Sequence, residues 1–145
     1  MWSPGPFAKA VFFMNEDEKL ARGLVEKAEH DLKLVEIGLE HDAPLDTICF
    51  HLQQAAEKLI KAALSSRRVT FPYTHDLDQL IDLGLAEFPG IEAFRPALSG
   101  FSTYAVAMRY DSAFYPDRDE VLAALETVKK LRAFILERLP PEIVP

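Results

Sequence analysis

Apolar residues in this chain recur at spacings of three and four, and this spacing most constrains its fold. Between about residues 17 and 41, the residues on this line are Leu20, Leu24, Lys27 or Ala28, Asp31 or Leu32, Val35 and Leu39. Positions three and four apart share one face of an α-helix, so the pattern predicts an amphipathic helix. A half-buried strand would instead alternate apolar and polar residues, and no segment of the sequence does so. The sequence therefore predicts an all-α fold.

Four further helices follow from the same periodicity and from the residues that begin and end helices. A second helix is predicted over about 45–65, and a third from His75 with Thr74 as its N-cap. A fourth is predicted to start between Ile91 and Pro96 and to run to Arg109. Asp117, followed three residues later by Glu120, predicts the start of a fifth, which ends before the prolines at 140–141. We expect an up-and-down bundle of about five helices over residues 16–139, with an N-terminal arm at 1–15 and a C-terminal tail at 140–145.

Length, charge and cysteine content limit the class of protein. A chain of 145 residues has the length of one domain. Its formal charge of −7 argues against a surface that coats nucleic acid generally, so any such contact must come from a local patch. The single cysteine, Cys49, excludes an intramolecular disulfide and is expected to be a small buried apolar residue. No apolar stretch approaches the roughly 20 residues that cross a bilayer. We therefore expect a cytoplasmic protein without membrane contact.

The first 14 residues are apolar and could imitate a secretory signal. Their only charged residue, Lys9, lies in the middle rather than before the apolar part, and polar Asn15 follows directly. We interpret the segment instead as an arm that packs on its own or a neighbouring subunit, or as an extension upstream of a start at Met14.

Basic residues gather at the end of the second predicted helix. Lys58, Lys61, Arg67 and Arg68 stand together without an acidic residue between them. This end of the helix is a candidate anion-binding site, with Lys61, Arg67 and Arg68 as candidate ligands of nucleotide or RNA phosphate. The alternative is that these cations only complement the negative end of the helix dipole.

His75 lies at the predicted start of the third helix, with six residues between it and Arg68. An arginine can hold a phosphate while an imidazole transfers a proton, and this pairing suits RNA cleavage beside a 2′-hydroxyl. A histidine in the first turn of a helix can equally serve in capping or packing.

Arg109, Tyr110 and Tyr115 form a third candidate group, between the fourth and fifth helices. Tyrosines can stack on bases, and Arg109 can bind phosphate. Alternatively, the two tyrosines close the end of the bundle and Arg109 pairs with Asp111 or Asp117.

Other chemistry finds no support in the sequence. The four histidines lack the spacing of a helical zinc site, and neither a glycine-rich phosphate loop nor a set of residues typical of nucleophilic catalysis is present. We expect no metal and no cofactor. His51, Gln53, Gln54 and Glu57 are interpreted as a helix face.

Three segments of the sequence together resemble the HEPN domain (higher eukaryotes and prokaryotes nucleotide-binding). These segments are the run from Cys49 to Ala62 (CFHLQQAAEKLIKA), the run from Pro72 to Leu77 (PYTHDL) and the pair Arg109-Tyr110. The resemblance extends from about residue 17 to 139. It implies an all-α bundle that usually forms homodimers and, in prokaryotes, often partners a minimal nucleotidyltransferase in a toxin–antitoxin pair.

Many HEPN proteins are metal-independent ribonucleases, and the resemblance implies where that activity would lie. It rests on an arginine and a histidine separated by four to six residues near the start of the last core helix. Arg109 fits the arginine, but Tyr115 stands where the histidine is expected. A tyrosine with an ordinary pKa of about 10 is a poor general base at neutral pH. The leading interpretation is a homodimer that binds nucleotide or RNA and partners a nucleotidyltransferase. The alternatives are an active endoribonuclease toxin and a purely structural interaction module.

Overall fold

Five α-helices and a short 3-10 helix make up the part of the chain that the structure describes. The computed structural model describes residues 14–110 and 115–145, with the backbone alone at 102–109. The helices are α1 (Glu16–Glu40), α2 (Leu45–Ser66), α3 (Leu77–Gly84), α4 (Arg95–Tyr110) and α5 (Arg118–Leu136), and the 3-10 helix is Pro89–Phe94. Within these residues there is no strand, which confirms the predicted all-α class. None of these helices is long and apolar enough to cross a membrane.

Helix α2 lies at the centre of the bundle and packs against α1, α3, α4 and α5. Its interior positions carry several alanines, whose small side chains allow neighbouring helices to approach closely. Ala55, Ala56, Ala62 and Ala63 are all fully or almost fully buried. Cys49 is buried on the same helix, as predicted. Burial raises the pKa of its thiol to about 11, with smaller contributions from the nearby carboxylates of Glu120 and Asp46.

The buried face of α1 differs in part from the predicted apolar line. Leu32 and Val35 are buried as expected, but Leu20 is half exposed, and Ala21 and Val25 are buried beside them. The buried residues Ala21, Val25, Ala28, Leu32 and Val35 recur at spacings of four and three and form the face of α1 that contacts α2. The buried face of α1 is therefore rotated by about one residue from the predicted line through Leu20 and Leu24.

The start of α3 differs from the prediction. The helix begins at Leu77, and its N-cap is Asp76 rather than Thr74. The Asp76 carboxylate accepts hydrogen bonds from the backbone N–H groups of Asp78 (3.0 Å) and Gln79 (3.4 Å), the two positions that an N-cap side chain reaches. Thr74 Oγ1 instead accepts from the backbone N–H of Asp76 (3.1 Å), which closes a turn before the helix. At the start of α5, by contrast, Asp117 caps the helix as predicted.

Arg95 connects α3, the 3-10 helix and α4. Its guanidinium donates to the side chains of Glu92 (2.8 Å), Asp82 (2.6 Å) and Asp78 (3.4 Å). The hydrogen bonds to Glu92 and Asp82 raise the pKa of Arg95 above its ordinary value. This network fixes the start of the helix whose last turn contains Arg109 and Tyr110.

The last residues of the chain pack back on the bundle. Ile143 is fully buried, and Arg22 on α1 donates from Nη1 to the backbone carbonyl of Glu142. The end of the described chain is therefore part of the same core.

Candidate functional site

His75 is held in position by the buried Glu57 carboxylate on α2. The segment between α2 and α3 carries it across α2, where its Nδ1 donates to Glu57 Oε1 at 2.7 Å. The Glu57 side chain is only 4% exposed, whereas the His75 side chain remains 42% exposed. A hydrogen bond at Nδ1 sets the orientation of the ring and leaves Nε2 free to face a ligand.

Lys61 shares the same carboxylate oxygen. It lies one helical turn after Glu57 on α2, and its Nζ is 3.1 Å from Glu57 Oε1. The ammonium also lies 5.7 Å from the centre of the Phe71 ring and 5.9 Å from that of Tyr73, within the range of cation–π attraction. An ammonium group has three N–H donors, so two remain for other partners.

Tyr73 forms the outer edge of this group. Its ring meets the His75 ring edge to face, with the ring centres 5.4 Å apart. The residue is 92% exposed, which is unusual for a large aromatic side chain and leaves its ring surface open to solvent. We call Glu57, Lys61, Tyr73 and His75 the Glu57 cluster.

Two amide side chains of α2 support the cluster. Gln53 is buried, and its Nε2 donates to the backbone carbonyl of His75 at 3.4 Å. Gln54 Nε2 in turn donates to Gln53 Oε1 at 2.9 Å. The position of His75 is therefore fixed through its backbone as well as through its ring.

The two arginines at the end of α2 have different surroundings from Lys61. Arg67 donates to the backbone carbonyl of Arg138 (3.2 Å), and its guanidinium lies 5.0 Å from the centre of the Phe88 ring. Arg68 is exposed and has a positive φ of 57°, just after the helix ends. The predicted basic group is thus divided, with Lys61 beside His75 and Arg67 directed toward the end of α5.

The third predicted group lies at the junction of α4 and α5. Arg109 is in the last turn of α4, and its side chain is outside the described part of the structure. Asp111, its suggested partner, is also outside it. Tyr110 is 83% exposed and Tyr115 is 77% exposed, so neither ring packs into the described end of the bundle. Both tyrosines are open to a partner or ligand.

Glu57, Gln53 and Tyr73 are site residues that the sequence pattern did not indicate. Glu57 and Gln53 were interpreted as a helix face, but they are buried among apolar neighbours on α2. The available signal was a carboxylate placed between Ala55, Ala56, Leu59 and Ile60, because a charge at such a position requires partners. Among residues 14–110 and 115–145, no group of three or more His, Cys, Asp or Glu side chains is placed to hold a metal ion.

The comparison with protein families decides the assignment. The family model of the HEPN domain matches residues 21–139. The chain belongs to the HEPN family. This confirms the resemblance seen in the sequence and gives the protein, in general terms, a nucleotide- or RNA-related function. No curated protein and no solved structure matches the chain.

The Glu57 carboxylate of this HEPN protein should be required to keep the Glu57 cluster ordered. Replacing Glu57 with glutamine removes the charge that accepts from Lys61 and His75, and we expect it to lower the free energy of unfolding by about 1–3 kcal/mol. Urea denaturation followed by circular dichroism measures this change. The matched control is Glu126→Gln on the exposed side of α5, which should change it by no more than about 0.5 kcal/mol. Equal losses in the two variants would contradict the role given to Glu57.

Proposed function

We propose that this HEPN protein binds nucleotide or RNA as a homodimer and acts with a minimal nucleotidyltransferase in a toxin–antitoxin pair. Family membership supports the first part in general terms. The partnership and the biological role rest on what the resemblance to HEPN proteins implies.

The Glu57 cluster is the observation that carries the binding proposal. Tyr73 offers an open ring on which a base can stack, and Lys61 and His75 offer N–H donors to a phosphate a few ångströms away. The carboxylate that orients both donors is buried beneath them, so a ligand meets the donors first. This combination of a stacking surface and fixed donors suits a nucleotide.

The junction of α4 and α5 can provide a second contact in the same function. Tyr110 and Tyr115 are both exposed there, and Arg109 lies in the adjoining turn of α4. We propose that Arg109 binds phosphate and that one of these tyrosines stacks on a base.

A homodimer would cover apolar surface that the single bundle leaves exposed. On α1, Leu20, Leu34 and Ile37 are each about half exposed, and Leu122 is similarly exposed on α5. Leu34 and Ile37 are three residues apart and share one face of α1, and large apolar side chains grouped in this way are typical of interfaces. We expect sedimentation at tens of micromolar protein, where a standard interface is filled, to show a dimer. A monomer under these conditions would exclude this part of the proposal.

Stacking on Tyr73 should be measurable in nucleotide binding. Tyr73→Ala should weaken the binding of AMP by about 5- to 150-fold, corresponding to the roughly 1–3 kcal/mol of a base–aromatic contact. Isothermal titration calorimetry gives the dissociation constant. Tyr73→Phe is the matched control, because it keeps the ring and should keep most of the affinity. If Tyr73→Ala binds AMP as well as the wild type, the cluster is not the binding site.

An active endoribonuclease is the second candidate function, and the Glu57–His75 hydrogen bond favours it. A carboxylate at Nδ1 orients an imidazole, as in catalytic dyads, and leaves Nε2 to transfer a proton. In this model, His75 and Arg109 together would take the place of the family's arginine and histidine pair, whose histidine is missing after Arg109.

RNA cleavage in the presence of EDTA separates the two functions. If the protein only binds, we expect RNA to remain intact with purified wild type, and both Arg109→Ala and His75→Ala to weaken affinity. If the protein is an enzyme, wild type should cleave with EDTA present, and His75→Ala should abolish cleavage, whereas a contaminating nuclease would still cleave in that preparation. His30→Ala, at an exposed position on α1, is the matched histidine control and should behave as the wild type.

A further inference from the structure

Only four residues in the middle of α2 are accessible to solvent, and they form one line. Between His51 and Lys61 the partly exposed residues are His51, Gln54, Lys58 and Lys61, and the other seven positions are buried. Their spacings of three, four and three place them on one face of the helix. With a rise of 1.5 Å per residue, the line is about 15 Å long. We call these four residues the α2 row.

A second buried carboxylate supports the other end of the row. Asp31 on α1 accepts from Lys58 Nζ at 2.6 Å and from His51 Nδ1 at 2.9 Å. Its side chain is 11% exposed, whereas those of Lys58 and His51 are about twice as exposed, at 25% and 26%. The arrangement repeats that of the Glu57 cluster, with one carboxylate beneath a lysine and a histidine.

Stability does not explain this repeated arrangement. Removing a charge from water is costly, and a buried ion pair generally stabilises a fold no better than apolar residues of the same volume. Here two carboxylates are placed below one narrow face, and each holds an ammonium and an imidazole. The effect is to fix His51, Lys58 and Lys61 in position along the row, which itself contains no carboxylate.

We propose that the α2 row binds the backbone of single-stranded RNA and that the base at one end of the bound segment stacks on Tyr73. This inference rests on the proposed binding function and specifies its ligand as an oligonucleotide. Phosphates of a stacked strand follow about every 3.4 Å along its axis, so the row covers about four nucleotides.

The charge of the surroundings favours a single strand over a duplex. The chain as a whole carries −7, and the row is one side chain wide, so the broad basic surface that a duplex requires is not provided by the row. Stacking on Tyr73 also requires an unpaired base. Two lysines in contact with phosphates of a single strand predict a shallow dependence of affinity on salt, with a slope of log Kobs against log salt of about −1.4.

The test compares an RNA octanucleotide of mixed sequence with AMP on the full chain. Lys58→Gln should weaken octanucleotide binding several-fold and reduce the salt slope by about 0.7, because one phosphate contact is lost. It should leave AMP binding unchanged, because AMP occupies only the end of the row near Tyr73. Lys130→Gln, at an exposed position on α5, is the matched control and should leave both ligands unaffected.

Two further variants keep the test informative if Lys58→Gln does not fold. Lys58→Arg keeps the charge beside Asp31 and should restore octanucleotide affinity, and His51→Gln leaves the Lys58–Asp31 pair intact and should weaken the octanucleotide alone. Equal affinity for AMP and octanucleotide, insensitive to Lys58→Gln but reduced by Tyr73→Ala, would overturn the inference and retain the binding function. Duplex RNA bound as tightly as the single strand would also overturn it. If wild type binds neither AMP nor octanucleotide, the proposed binding function fails, and this inference fails with it.

Discussion

The enclosure of α2 by four other helices is the constraint on which the rest of the structure depends. Its alanines let α1 and the other helices approach closely, and its leucines and isoleucines fill the core. A helix enclosed in this way has little surface left for contact with solvent. The few residues that remain accessible in its middle are therefore confined to one line, and the chemistry available there depends on those residues and on what lies beneath them.

Two carboxylates determine how the donors of the α2 row are held. Asp31 on α1 and Glu57 on α2 are buried, where an unpaired charge would be strongly unfavourable, and each is paired with a lysine and a histidine. The same hydrogen bonds that compensate the carboxylates also fix the donors that face solvent. Side chains that would otherwise be flexible are thus preorganised, which reduces the entropy lost when a ligand binds.

The candidate ligand contacts lie at two separate places on the bundle. One is the Glu57 cluster with the α2 row, and the other is the junction of α4 and α5 with Tyr110 and Tyr115. The Arg95 network links α3, which follows the first place, to α4, which leads to the second. In the proposed function, local donors and exposed rings take the place of a broad basic surface, which the formal charge of −7 argues against.

The sequence by itself determined the number and type of the described helices, the cap at Asp117, the burial of Cys49 and the family. These features depend on residues close together in the chain or on a run of specific residues, and local periodicity reports them directly. Tertiary structure alone decided the rotation of α1, the cap at Asp76 and the makeup of the candidate site. Glu57 and His75 are 18 residues apart, and Asp31 and His51 are 20 apart, so their pairing depends on how the helices pack. Periodicity shows which residues share a face of one helix, but only the packed bundle decides which charged groups meet across two.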